Sequence, residues 1–203
     1  MITYEWDVDD LKYVQRKLGS MKSEARKVLK NAVNKTAVSA RVKLRQEAQK
    51  RYTVKVAGVN SRIDIEKATI AVPSAMLKVK GRTLTMPRFR TTAPKSGVKT
   101  EIVKGSGLKT VVGPKKIKAF ISKTISGNKK GNNSKKQTVT TQVFQRTGKG
   151  RYPLKVLRSV SVPKMIEKVY DGRKITSTPL KQEIERLYRH YIDQEVERTL
   201  NQK

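Results

Sequence analysis

The sequence predicts an α+β fold with a long N-terminal helix, an antiparallel sheet of about five or six strands, and a C-terminal amphipathic helix. Three observations predict it. Apolar residues recur at three- and four-residue spacing from Ser20 to Arg51, with no Gly or Pro between them. From Ala75 to Arg146 the apolar period shortens to two, and Gly-containing turn segments punctuate it. The helical period then returns from Thr178 to the C-terminus. At 203 residues the chain is expected to form one domain, 1–203, around a modest aliphatic core, since aromatic residues make up only 5%.

The first segment, 1–19, opens with Glu5, Asp7, Asp9 and Asp10, read as a flexible arm or docking segment. Leu11, Val14 and Leu18 follow as a short apolar stripe that Gly19 breaks. Ser20 is the expected N-cap of the long helix over 20–51. Its apolar face runs through Met21, Ala25, Val28, Leu29, Ala32, Val33, Thr36, Ala40 and Leu44, while the other faces carry ten Lys/Arg against Glu24 and Glu47. Periodicity leaves Val59–Thr69 open between a helical turn and a strand. Three hairpins are expected in the basic β region, 75–146. Ala75–Met86 turns at Gly81-Arg82, Val98–Gly113 turns at Gly105-Ser106-Gly107, and the third joins a strand through Ile117, Ala119 and Ile121 to one through Val139, Thr141 and Val143. The last hairpin's loop, 126–137, is polar and basic, and is expected to be mobile without a partner. A connector spans 147–177. In the final helix, 178–203, Thr178 is the expected N-cap with Pro179 at N1, and Leu180, Ile184, Leu187, Tyr191, Val196 and Leu200 form the apolar stripe.

Charge decides the function classes. The chain holds 47 Lys+Arg against 16 Asp+Glu, a net of +31. Self-repulsion of that size opposes compactness unless a polyanion or an acidic protein neutralises it. From Ala75 to Lys136 there are 17 Lys/Arg and one acid, Glu101, and many of the lysines alternate with apolar residues, which predicts a cationic sheet face. The expected contacts to DNA or an acidic partner are Lys78, Lys80, Arg82, Arg88, Arg90, Lys115, Lys116, Lys118, Lys129, Lys130, Lys135 and Lys136. Arg146, Lys149 and Arg151 join them at the tip of the following turn. Solvated turn charge is the competing reading of these three.

Other chemistry is disfavoured. There is no cysteine, so disulfides and thiolate metal sites are absent, and no apolar run approaches the roughly 20 residues of a membrane span. "QRTGKGRYP" (Gln145–Pro153) has the composition of a phosphate loop but not its pattern: Gly150 follows Lys149 where Ser or Thr is required, and Pro153 blocks the helix that should start there. The single histidine, His190, has no nucleophile motif to serve and reads as a solvated helix residue. Asp7, Asp9 and Asp10 are the only tight carboxylate cluster. No enzymatic activity, metal or cofactor is expected. Phe89, Phe120 and Phe144 read as core residues rather than a stacking platform. Zinc-finger spacing, zipper heptads and RNP-type aromatics are missing, so any nucleic-acid contact should be electrostatic and indifferent to sequence.

The run "VFQRTGKGRYPLKVLRSVSVPKMIEK", Val143 to Lys168, resembles the prophage minor tail protein Z family, the tail completion proteins of long-tailed bacteriophages. The family pattern is an aromatic strand, R-x-G-K, a short gap, R-[LY]-P-[IL], then S-[VI]-P near the start of a helix. The matching positions are Phe144, Arg146, Gly148, Lys149, Arg151, Tyr152, Pro153, Leu154, Ser161, Val162, Pro163 and Met165. "NAVNKTAVSAR" (Asn31–Arg41) and "KAFIS" (Lys118–Ser122) are similar to further family segments. Where the family often has Gly-Pro before S-[VI]-P, this chain has Ser159-Val160. As architecture, Gly148 and Gly150 are expected to permit a tight reversal, and Pro153 and Pro163 to hold Tyr152 and Val162 extended. Leu154, Val156 and Leu157 would then be free to face a core.

The resemblance implies a non-enzymatic virion protein, assembled in the host cytoplasm and acting in tail completion and head–tail joining at the head-proximal end of the tail. Tail symmetry implies a ring of six. The partners implied are the tail terminator, tube and tape-measure proteins, and the viral DNA end. The acidic N-terminus and C-terminal helix could pair with the basic sheet of the adjacent copy. A stand-alone, sequence-nonspecific nucleic-acid-binding protein is the alternative.

Overall fold

The structure, a computed structural model, describes residues 1–54, 59, 62–112, 117–126, 138–172 and 180–202. They form two compact units. Unit 1 comprises Met1–Ala48, Val59–Gly81 and Val162–Lys203, and unit 2 comprises Gln49–Gly58 and Arg82–Ser161. The expected α+β composition is present, and every strand pairing is antiparallel. Among the described residues the strands divide into four small sheets rather than one.

Unit 1 begins with strand β1 (Ile2–Glu5) and helix α1 (Val8–Leu18). The acidic start is therefore ordered, not a flexible arm. Asp7 is the N-cap of α1: its carboxylate accepts from the Asp10 N–H at 2.8 Å, and the Asp10 carboxylate accepts from the Asp7 N–H at 3.4 Å. Acids at a helix N-terminus also meet the positive end of its dipole. Gly19 ends α1 at φ 55°, a left-handed conformation that side chains resist.

The long helix starts later than expected. Residues Gly19–Glu24 form a 3₁₀ turn with Met21 kinked out of helical geometry, and α2 runs over Ala25–Arg51, so Ser20 caps nothing. The predicted apolar face is otherwise the buried one. Ala25, Val28, Leu29 and Ala32 pack with Val14 and Leu18 of α1 and with Ile192 and Val196 of the C-terminal helix.

Strand β2 (Ile63–Glu66) resolves the open segment, and β3 (Ser74–Val79) lies between β1 and β2. Ala75 and Val33 are core neighbours here, with Ala37 and Ala68. Two further helices close the unit: α3 (Val162–Tyr170) and α4 (Leu180–Leu200). In α3 the buried residues are Val162, Met165, Ile166 and Val169, the spacing of one helix face. Val162 is thus helical, not extended. Pro163 sits in the first turn, where its missing N–H removes no hydrogen bond. On α4 the buried stripe runs through Leu180, Ile184, Ile192 and Val196, with Tyr188 and Tyr191 beside it, whereas Leu200 is exposed. The expected Thr178-Pro179 cap lies outside the described residues.

Unit 2 is built from short strands. β4 (Thr83–Thr85) pairs with β11 (Arg158–Ser161). β5 (Arg90–Thr92), β6 (Lys99–Glu101) and β7 (Lys109–Thr110) form a second sheet, and β8 (Phe120–Ser126), β9 (Thr138–Arg146) and β10 (Leu154–Val156) a third. The hairpins β6–β7 and β8–β9 match expectation. The hairpin at Gly81-Arg82 does not exist, because β3 pairs with β1 and β2 while β4 pairs with β11. Gly105 and Gly107, at φ 81° and 71°, turn the chain between β6 and β7. Val98, Ala119 and Val143 form the core with Met86, Val111 and Leu157, and the Phe120 and Phe144 rings stack at 6.1 Å. β11 takes three steps from Arg158 to Ser161 while β4 takes two, a bulge at Ser159-Val160.

Candidate charged interface

The cations and acids are distributed very unevenly. Of the 47 Lys+Arg and 16 Asp+Glu, unit 2 holds 23 and 1, and unit 1 holds 24 and 15. Unit 2 therefore carries +22 of the net +31.

Its one carboxylate does not reach the surface. Glu101 is 5% exposed at the end of β6. It accepts from the Gly105 N–H at 2.8 Å and from Arg90 at 3.1 Å. Its backbone carbonyl accepts from Thr53, and Thr53 Oγ1 in turn accepts from the Arg90 N–H at 3.1 Å. Residues 51–54 are thereby tied to the β5–β6 hairpin, with Tyr52 bridged to Val103 and buried. Arg88, Lys95, Lys104, Lys109, Lys118, Lys123, Arg146, Lys149, Arg151, Lys155 and Arg158 are all exposed on this unit. A surface with that many cations and no exposed acid attracts polyanions over distances of about 10 Å at ordinary salt.

The structure regroups the residues singled out from sequence. Lys78 and Lys80 belong to unit 1, where strand β2 neutralises them: Lys78 pairs with Glu66, and Lys80 with Asp64 at 3.7 Å. Arg90 is committed to Glu101. Arg82, Arg88, Lys118, Arg146, Lys149 and Arg151 remain exposed in unit 2. Lys115, Lys116, Lys129, Lys130, Lys135 and Lys136 lie outside the described residues, as does loop 126–137 from residue 127 onward. Lys50, Arg51, Lys155 and Arg158 also fall in unit 2, beyond the 75–146 boundary read from composition.

The family run forms the β9–β10 hairpin, with Arg146 opposite Leu154 and Phe144 opposite Val156. Thr147 closes the loop by donating its N–H and its hydroxyl to the Pro153 carbonyl, each at 3.2 Å. The Tyr152–Pro153 peptide is cis. Neither Gly148 nor Gly150 takes a positive φ, so the reversal does not require glycine torsions. Gly150 matters for space, because a Cβ there would meet the Tyr152 carbonyl at 3.3 Å. Phe144 is buried and Leu154 half-buried; Lys149, Arg151 and Tyr152 are exposed. Ser161, Val162, Pro163 and Met165 then carry the chain from β11 into α3.

Several acids of unit 1 are paired within the unit. Glu195 on α4 is buried beside Lys35 Nζ at 2.6 Å, with Asn31 Nδ2 at 3.1 Å and Arg198 at 3.8 Å. Burial pushes its carboxyl pKa up, but Lys35, Asn31 and Arg198 outweigh burial and hold it below the ordinary glutamate value. Glu183 pairs with Lys43, Asp193 accepts from the Tyr13 hydroxyl at 2.8 Å, and Asp10 from Tyr188 at 2.8 Å. Burial and the Asp10 contact raise the Tyr188 pKa. Asn34 clamps the Ala68 peptide through both ends of its amide, at 2.8 and 3.1 Å. Asn31 and Asn34 are the residues sequence reading missed, and two amides on one helix face were the available signal. Glu5, Asp9 and Glu197 of the same unit are exposed.

Among the described residues no group of three His, Cys, Asp or Glu is placed to hold a metal ion, and no helix is long and apolar enough to cross a membrane. A family model, Prophage minor tail protein Z (GPZ), matches residues 10–203. No curated protein and no solved structure matches the chain. The family match covers nearly the whole sequence and both units, and the chain belongs to the prophage minor tail protein Z family.

Proposed function

We propose that this tail protein is a structural component that completes the tail at its head-proximal end and takes part in head–tail joining, as one subunit of a ring. In this reading unit 1, with 15 acids against 24 cations, is the less basic body, and unit 2 is the part offered to a polyanion. That partner is the viral DNA end, or an acidic surface of the tape-measure, tube or terminator proteins. Family membership supports the tail role. The observation that carries the interface is the division of charge: 23 cations and one buried acid in unit 2. A merely soluble surface mixes both signs. A ring of such chains multiplies the repulsion, so it needs counter-charge to close.

The test is to change Arg88, Lys118, Arg146 and Lys149 together to Gln. Each lost phosphate contact should reduce the salt slope of duplex DNA binding by about 1. Infectious titre should fall while tube assembly continues. Unchanged titre with unchanged salt dependence would remove unit 2 from the interface.

A further inference from the structure

The β9–β10 loop presents a feature that charge alone does not explain. Tyr152 is 70% exposed, the most exposed aromatic side chain of the chain's described residues. The Arg151 guanidinium lies 5.8 Å from its ring centroid. Arg146, Lys149 and Lys155 are exposed on the same hairpin. The loop base is pinned by Thr147 to Pro153, and Gly150 allows the close approach of the Tyr152 carbonyl, so the ring stands on a defined turn.

We infer that Tyr152, backed by Arg151, is a base-stacking site for single-stranded nucleic acid. The inference deepens the polyanion reading of unit 2 and rests on it. A ring with a planar guanidinium beside it extends into a stacking platform, while neighbouring cations take the phosphates. An acidic protein fits the surroundings less well. Protein hot spots are ringed by contacts that exclude water, yet Leu154 and Val156 on this hairpin are turned partly inward and the residues around the ring are charged. Duplex DNA keeps its base faces covered and would use the cations alone. Single strands expose them.

The experiment measures anisotropy of a labelled single-stranded oligonucleotide and of the matching duplex across a salt series, with the full-length chain and its Tyr152→Ala and Tyr152→Phe variants. Tyr152→Ala should weaken single-strand binding about 5- to 150-fold. Its salt slope and its duplex affinity should stay as in the unsubstituted chain. Tyr152→Phe should restore the single-strand affinity, since stacking needs the ring and not the hydroxyl. Equal single-strand affinity for Tyr152→Ala and the unsubstituted chain overturns the site, as does an equal loss on both nucleic acids. A loss of tail incorporation with single-strand binding intact would show the ring to be a protein contact, and also overturns it. If the unsubstituted chain binds neither nucleic acid, the DNA form of the unit 2 reading falls too, an outcome distinct from failure of the tyrosine alone.

Discussion

Replacing Glu195 with Gln tests the claim that unit 1 is held by its own ion pairs. The side chain is 3% exposed, and its partners are Lys35 at 2.6 Å, Asn31 at 3.1 Å and Arg198 at 3.8 Å. Gln keeps the volume and can still accept from Asn31, so no cavity forms. What disappears is the charge facing Lys35. Lys35 is 40% exposed and can turn to water, so the loss is smaller than for a fully buried pair. Hydrogen bonds to charged groups contribute about 1.5–3 kcal/mol, and solvent screening at Lys35 places the expected cost near 2 kcal/mol. For a chain of this length that is a fall in Tm of about 4–8 °C. The folded-state pKa of Glu195 lies below the unfolded value of about 4.3, so its contribution is fully present above that pH and is lost as pH falls through the folded value. Thermal melts followed by circular dichroism from pH 7 to pH 3 should show a gap between the two proteins that is full at pH 7 and narrows below about pH 4. A gap that does not change with pH, or a more stable Gln variant, would refute the reasoning.

Two further substitutions address the core and the buried acid. Leu29→Ala removes a fully buried side chain from the contact of α1, α2 and α4, and should lower stability by about 3 kcal/mol in denaturant titrations. Glu101→Gln should lower stability by about 1–2 kcal/mol, because the Gly105 N–H and Arg90 lose a charged acceptor. Its duplex DNA affinity should hold or rise, since the change removes the only acid of the cationic unit; a weaker complex would count against an electrostatic interface.

The elements whose contacts are local were legible in the sequence. The α2 stripe, the β6–β7 and β8–β9 hairpins, and the α1 break at Gly19 each follow from residues a few positions apart. The 75–146 segment overlaps most of the cationic unit, which spans Gln49–Gly58 and Arg82–Ser161. Lys78 and Lys80 read as free cations because Asp64 and Glu66 precede the counted segment, and the antiparallel register of β2 on β3 brings them together. Gly81-Arg82 has the composition of a hairpin turn, but composition does not determine which strand a segment joins, and β4 joins β11 instead of β3.

By itself the sequence determined the secondary-structure periods, the net charge of +31 and the family run from Val143 to Lys168. Each depends on residue order and composition alone. Tertiary structure decided which strand pairs with which, which acids are paired inside unit 1, and that +22 of the net +31 sits on unit 2. The reason is physical. A period says which face is buried but not against what, and ion pairing acts through distance in space, which the folded chain sets by joining residues such as Lys35 and Glu195 across most of its length.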